Sequence, residues 1–105
     1  MSDDLFIPRL SAKEYLILDA LVARGGQYGL ELVRNSEGQL KRGTIYVTLG
    51  RMEEKGYVES EQSKELYVSG KPKRLYKPTG YGAKVFRLQT QGAASLGSDM
   101  LPVPG

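Results

Sequence analysis

The stretch RGTIYVTLGRMEEKGYVES, residues 42–60, changes its hydrophobic period at Gly56. Before that glycine, Ile45, Leu49 and Met52 fall at i, i+4 and i+7, which places them on one face of a helix. After it, the segments YVESEQ and RLYKP alternate as β-strands do, with the turn residues SGKP between them. We therefore expect a helix with one buried and one free face, followed by a two-stranded hairpin. Its connection is predicted to run from about residue 62 to residue 73, unless LYV, residues 66–68, extends the first strand.

Two helices are predicted before this stretch. The first begins with SAKE, residues 11–14, a capping box in which the Ser11 hydroxyl and the Glu14 carboxylate each accept from the other's backbone N–H. It ends near Arg24, before two glycines. Its middle, YLILDALVA, is apolar on nearly every face, so more than one side of the helix must be covered. Either a second subunit covers the side that faces away from the core, or the rest of the same chain surrounds the helix. YGLELVRNSEG is the second helix, with Leu30, Val33 and Leu32 as its inward candidates.

A last helix is predicted from Thr79 as its N-cap to about Thr90. The glycine- and serine-rich segment after it has no periodicity, so residues 92–105 are predicted to be a flexible tail. Three helices, a hairpin and a further helix make an α+β, mainly α fold. It is a winged helix-turn-helix, with three helices, a two-stranded wing and a C-terminal dimerisation helix, in one domain over residues 1–91.

The composition removes most enzyme classes. Neither cysteine nor histidine occurs in the 105 residues, so disulfides, thiolate or imidazole catalysis and the usual zinc sites are excluded. No glycine motif has the spacing of a phosphate-binding or dinucleotide-binding loop. We therefore predict a protein that is not an enzyme and has no cofactor or metal. With an acidic amino terminus, MSDDLF, and no apolar run of about 20 residues, it is predicted to be soluble and cytoplasmic.

The positive charge is concentrated in one part of the chain. The net charge is only +3, but residues 41–87 carry eleven Lys or Arg against five Glu. Such a segment is expected of a surface that binds a polyanion, and equally of a solvated lysine-rich face.

Three separated motifs resemble the PadR family of transcriptional regulators, in order over roughly residues 10–86. They are YGLELVRN, then GTIYVTLGRMEEKGYVES, then GKPKRLYKPTGYG. Val47 stands where the family usually has proline. The short C-terminal part resembles the small members, and the resemblance implies a homodimer joined through the first and last helices. Many members respond to small aromatic compounds, but this chain has no tryptophan with which to stack one, and its sequence identifies no effector.

Ten residues are candidate contacts to double-stranded DNA. On the predicted free face of the third helix, Arg51 could pair with guanine or a phosphate, or form a surface pair with Glu54, and the threonines could reach bases or phosphates. For Tyr46 the resemblance implies a phosphate contact, which is compatible with a half-buried ring; Tyr28 could bind phosphate or close the core. The basic side chains of the wing and of the segment before the third helix would hold phosphates, unless they are simply solvated. The full set is Tyr28, Lys41, Arg42, Thr44, Tyr46, Thr48, Arg51, Lys71, Lys73 and Arg74.

The leading functional hypothesis is a dimeric repressor that binds an inverted-repeat operator. The alternative is a winged helix that contacts another protein without binding DNA. The candidates for the dimer contact are Leu16, Leu18, Leu21, Val85, Phe86 and Leu88. Alternatively, these side chains belong to the core of the monomer.

Overall fold

The structure is a computed structural model that describes residues 8–100, with side chains described for residues 8–91. Four helices and three strands follow one another along this part of the chain. They are α1 (Ala12–Arg24), β1 (Gln27–Tyr28), α2 (Gly29–Asn35), α3 (Ile45–Glu54), β2 (Val58–Leu66), β3 (Pro72–Pro78) and α4 (Gly80–Met100). Within the described residues, no helix combines the length and the apolar character that crossing a membrane requires.

The first helix begins and ends where its sequence predicts. The Glu14 backbone N–H donates to Ser11 Oγ at 3.2 Å, and the Ser11 N–H donates to Glu14 Oε1 at 2.8 Å, so the capping box is formed. At the other end, Gly25 adopts a φ of 86°, and its N–H donates to the Leu21 carbonyl at 2.8 Å. A positive φ costs little only for glycine, which explains why the helix stops there.

The sheet has three strands, one more than predicted. Its order is β1-β3-β2, and both pairings are antiparallel. The additional strand is β1, in which Gln27 pairs with Tyr76 and Tyr28 with Leu75. Two residues are too few to show a period, so the sequence pattern could not identify this strand.

The hairpin connection is shorter than predicted. β2 and β3 pair regularly from Val58 to Gln62 and then again at Leu66, with a register shift between those two positions. Beyond Leu66, the Tyr67 N–H donates to the Lys71 carbonyl at 2.8 Å and closes the turn. The first strand therefore extends to Leu66, as the alternative with LYV allowed in part, because a bulge interrupts the alternation of β2 without ending the strand. β3 begins at Pro72, close to the predicted end of the connection.

The helical stripe of α3 lies in the core as predicted. Ile45, Leu49 and Met52 have exposed fractions of 1%, 0% and 0%. They belong to the same cluster as Ile17 of α1 and Leu32 of α2. On α2 the buried side chain is Leu32, whereas Leu30 and Val33 are only partly buried.

The last helix packs closely on the start of β2. Thr79 caps it as predicted, since the Gly82 N–H donates to Thr79 Oγ1 at 2.9 Å. The Thr79 N–H donates to the Tyr57 carbonyl at 3.0 Å. A Cβ atom at Gly82 would lie 2.8 Å from the carbonyl carbon of Tyr57 and 2.9 Å from its Cα, with the carbonyl oxygen nearer still. Only glycine allows this approach of helix to strand.

α4 is longer than predicted. It packs on α1 through Tyr15, whose ring centroid lies 4.9 Å from that of Phe86 and whose hydroxyl lies 2.7 Å from Thr90 Oγ1. The helix then continues to Met100, so the predicted end near Thr90 was ten residues short. Alanine and leucine among residues 92–100 favour helix, and no proline occurs between Pro78 and Pro102. The predicted flexible tail overlaps this helix as far as residue 100, and residues 101–105 lie outside the described part.

Candidate nucleic-acid interface

The face of α3 opposite its buried stripe is exposed and partly polar. Thr44, at the N-cap position, and Arg51 are exposed, and Val47 has an exposed fraction of 53%. The Thr48 hydroxyl donates to the Thr44 carbonyl at 3.2 Å. Its oxygen can then act toward an external group only as an acceptor, while its methyl group remains available for an apolar contact.

The flank of α3 carries Tyr46, which ties the helix to the wing. Its hydroxyl lies 3.1 Å from the hydroxyl of Tyr67, and a Cβ atom at Gly29 would lie 2.6 Å from Tyr46 Cε1. Burial, together with the hydrogen bond to Tyr46, raises the pKa of Tyr67 to about 12. The Tyr67 hydroxyl therefore stays protonated at neutral pH. Sequence reasoning missed Tyr67, because nothing in its local pattern indicates a partner 21 residues away.

Lys73, predicted as a phosphate contact, is held within the wing. Its Nζ lies 5.0 Å from the ring centroid of Tyr28 and 5.4 Å from that of Tyr67. It also lies 3.6 Å from Glu65 Oε1, and only 26% of the lysine side chain is exposed. Cation–π contacts of this kind stabilise a fold by about 0.5–1 kcal/mol each. The ammonium group of Lys73 therefore serves to fix the wing against the start of α2.

Two further candidates have partners inside the protein. Arg74 Nε donates to Ser60 Oγ at 2.8 Å, and the Ser60 hydroxyl donates to Glu53 Oε2 at 2.9 Å, which links the wing to the end of α3. The Tyr28 hydroxyl lies 3.2 Å from Ser63 Oγ. Arg74 stays exposed and Tyr28 is half-buried, so each combines a structural contact with a surface position.

A shallow groove lies between the start of α3 and the turn of the wing, and we call it the wing-side groove. Its volume is about 530 Å³, and it is lined by Leu30, Arg42, Tyr46, Tyr67, Val68, Ser69 and Lys71. Lys41, Arg42 and Lys71 are all exposed. Because Arg42 and Lys71 lie at one groove, the structure brings the segment before α3 and the wing together, as the prediction requires.

A second groove lies on the other flank of α3, and we call it the α1-side groove. Its volume is about 870 Å³. Its lining includes Thr44, Val47, Thr48 and Arg51 of the α3 region, together with Arg9, Lys13 and Lys55. Sequence reasoning missed Arg9 and Lys13, because their proximity to α3 depends on how α1 packs rather than on any local pattern.

An ion pair between a buried carboxylate and an exposed ammonium group lies in the wall of the α1-side groove. Glu14 Oε2 accepts from Lys55 Nζ at 2.7 Å, and the glutamate side chain is 8% exposed. Burial alone would raise the pKa of Glu14, but the hydrogen bonds from Lys55 and from the Ser11 N–H hold it below its usual range. The carboxylate is therefore ionised at neutral pH and neutralised by Lys55.

Most candidates for a dimer contact are covered by the chain itself. Leu18, Leu21, Val85 and Phe86 have exposed fractions of 0%, 1%, 2% and 8%, so they belong to the monomer core and leave little surface for a partner. Leu16 is half-buried. Among the side chains that the structure describes on these two helices, Leu88 is 36% exposed, and Val22 and Tyr81, which the prediction did not include, are 40% and 48% exposed.

Comparisons with known proteins agree with this architecture. The model of the transcriptional regulator PadR-like family matches residues 17–94. A PadR family transcription regulator from hypervirulent Clostridium difficile R20291 is 29% identical, with a TM-score of 0.68 over 86% of this chain and 95% of that one. A PadR family regulator from Eggerthella lenta DSM 2243 is 26% identical, with a TM-score of 0.67 over 84% of this chain and 77% of that one.

A more distant likeness extends to the MarR fold. A mutant MarR from E. coli complexed with operator DNA is 22% identical, with a TM-score of 0.62 over 78% of this chain and 54% of that one. A search of curated protein sequences finds no match to this chain.

Proposed function

The chain belongs to the PadR-like family of transcriptional regulators, and from that premise we propose that it is a repressor that binds operator DNA as a homodimer. One observation carries the proposal. α3 exposes Thr44, Val47 and Arg51 opposite its buried stripe, and a groove with basic side chains flanks it on each side. The fold likeness to a MarR protein complexed with operator DNA supports it.

The exposed face of α3 has suitable chemistry for the major groove of DNA. That groove is about 12 Å wide and admits a helix. Arg51 can donate two hydrogen bonds to a guanine, while Val47 and the methyl group of Thr48 can contact the methyl group of thymine. Arg42 and Lys71, at the wing-side groove, would bind phosphates and supply affinity without sequence information.

A homodimer would place two such helices on one DNA. Leu88 and Val22, which are exposed on α4 and α1, are the apolar side chains that a second copy could cover, together with the half-buried Leu16. A two-fold axis through that contact would require an operator that is an inverted repeat, with half-site centres about 34 Å apart or a multiple of that distance. The subunit number can be measured by sedimentation equilibrium.

The test of the function is selection of bound DNA from a random library, followed by titration of the selected site. We expect an enriched inverted repeat. Arg51→Ala should weaken binding to that site by about 5- to 150-fold and relax its specificity at one base pair. Arg24→Ala, which removes an exposed arginine from the far end of α1, is the matched control and should bind as the wild type does. If the protein retains no DNA from the library, the alternative function is favoured, in which the winged helix contacts another protein.

A further inference from the structure

The α1-side groove has a charge distribution that the assigned contacts do not use. We propose that Arg9 and Lys13, at and just before the start of α1, bind the sugar–phosphate strand on the flank of α3 away from the wing. This inference rests on the proposed function, because it assigns a strand of the same operator. It adds a third DNA-binding segment to α3 and the wing.

The positions around α3 separate the two flanks. Successive residues of an α-helix are 100° apart, so Tyr46, which lies at the wing-side groove, and Thr48, which lies at the α1-side groove, project about 160° apart. The buried stripe occupies the sector on one side between them, and Val47 lies in the exposed sector on the other. The two grooves therefore lie on opposite sides of the face that would read the bases.

A helix in the major groove has a sugar–phosphate strand on each side of it. The wing-side groove presents Arg42 and Lys71 to one strand. The other strand would lie along the α1-side groove, which Arg9 and Lys13 line together with Thr48. Both side chains are exposed, so a phosphate can reach them without any rearrangement of the fold.

The α1-side groove keeps a net positive charge after its internal pair is counted. Among the residues that line it, Glu14 is the single acid, and it is already neutralised by Lys55 at 2.7 Å. Arg9, Lys13 and Arg51 then remain as three positive charges along one groove. A uniform positive potential of this kind attracts a polyanion.

The test compares the double variant Arg9→Ala/Lys13→Ala with the charge-matched control Arg24→Ala/Lys84→Ala. All four side chains are exposed, so we expect both variants to fold, which thermal unfolding followed by circular dichroism checks. Binding to the selected operator and to an unrelated duplex is then titrated from 50 to 300 mM salt. Each phosphate contact contributes about 0.9 to the slope of log K against log salt.

We expect the Arg9→Ala/Lys13→Ala slope to be smaller in magnitude by about 2, and the affinity at 0.15 M salt to fall by about 30-fold. The loss should be equal for operator and unrelated DNA, because phosphate contacts carry no sequence information. The control should keep the wild-type slope. Operator binding with an unchanged slope in the Arg9→Ala/Lys13→Ala variant would overturn this assignment alone. A wild-type protein that binds no operator would overturn the proposed function, and this assignment with it.

Discussion

The contact between α4 and the start of β2 depends on the missing side chain of Gly82, and Gly82→Ala tests that dependence. An added Cβ would lie 2.8 and 2.9 Å from backbone atoms of Tyr57, so α4 must move away until these distances reach the ordinary 3.4–4 Å. That movement also stretches the hydrogen bond from the Thr79 N–H to the Tyr57 carbonyl, which is 3.0 Å long. Backbone atoms cannot rotate aside as a side chain can.

The expected loss follows from three contributions. Overpacking of this kind costs about 1–3 kcal/mol, and a weakened hydrogen bond costs about 1 kcal/mol more. Alanine offsets up to about 1 kcal/mol through its higher helix propensity. The net loss is about 2 kcal/mol, which lowers the melting temperature of a domain of this size by about 8–16 °C.

The control is Gly80→Ala in the first turn of the same helix, where an added Cβ meets nothing within 4 Å. Its melting temperature should equal or slightly exceed that of the wild type. Melting is followed by circular dichroism at one protein concentration, because dimer formation would make the midpoint depend on concentration. If Gly82→Ala melts together with Gly80→Ala, the close approach of α4 to Tyr57 does not exist in solution.

Three further predictions concern Lys73, Glu14 and Tyr67, each of which has a partner inside the protein. Lys73→Gln should lower the free energy of unfolding by about 1 kcal/mol through the loss of its cation–π contacts. The control Lys71→Gln should leave urea unfolding unchanged and reduce the slope of log K against log salt for DNA binding by about 1. Equal stability of the two variants would refute the packing of Lys73 against Tyr28 and Tyr67. Because the pKa of Glu14 lies below 4.5 in the folded protein, its ionised form stabilises the fold above pH 4.5, and that contribution is lost as the pH falls through the folded-state value. The difference in stability between wild type and Glu14→Gln should therefore be larger at pH 7 than at pH 3, measured by urea unfolding. Because the pKa of Tyr67 is about 12 against an ordinary 10, wild-type stability should fall between pH 10 and pH 12 more steeply than that of Tyr67→Phe, and parallel curves would show that the contact between the Tyr67 and Tyr46 hydroxyls is absent.

The sequence predicted the elements whose periods are long enough to read. The stripe of Ile45, Leu49 and Met52 repeats with the helical period over two turns, and the capping box at Ser11 is a local pattern, so both were confirmed. β1 could not be predicted, because two residues have no period and are ordered by pairing with β3. The predicted end of α4 was ten residues short, because the glycines at 92 and 97 hide the helical pattern even though the alanines between them favour helix.

The candidate site was predictable in part for the same reason. The free face of α3 follows directly from its buried stripe. The contacts of Lys73 with Tyr28 and Tyr67 were not predictable, and neither were the contributions of Arg9 and Lys13, because each depends on an element that is distant in sequence and adjacent only after folding.

The register shift in β2 divides the wing into two mechanical parts. In the part of the wing that precedes Gln62 along β2, β1 joins β2 and β3 in a three-stranded sheet and connects it to the start of α2. After Gln62 only β2 and β3 remain, and they pair again at Leu66 and Pro72. We expect backbone amides past Gln62 to exchange with solvent faster than those of the sheet below it, which hydrogen exchange can measure. The far part, which carries Lys71, is tied to α3 through the contact between the Tyr67 and Tyr46 hydroxyls at 3.1 Å, so a change in the position of α3 would carry the tip with it while the sheet stays in place.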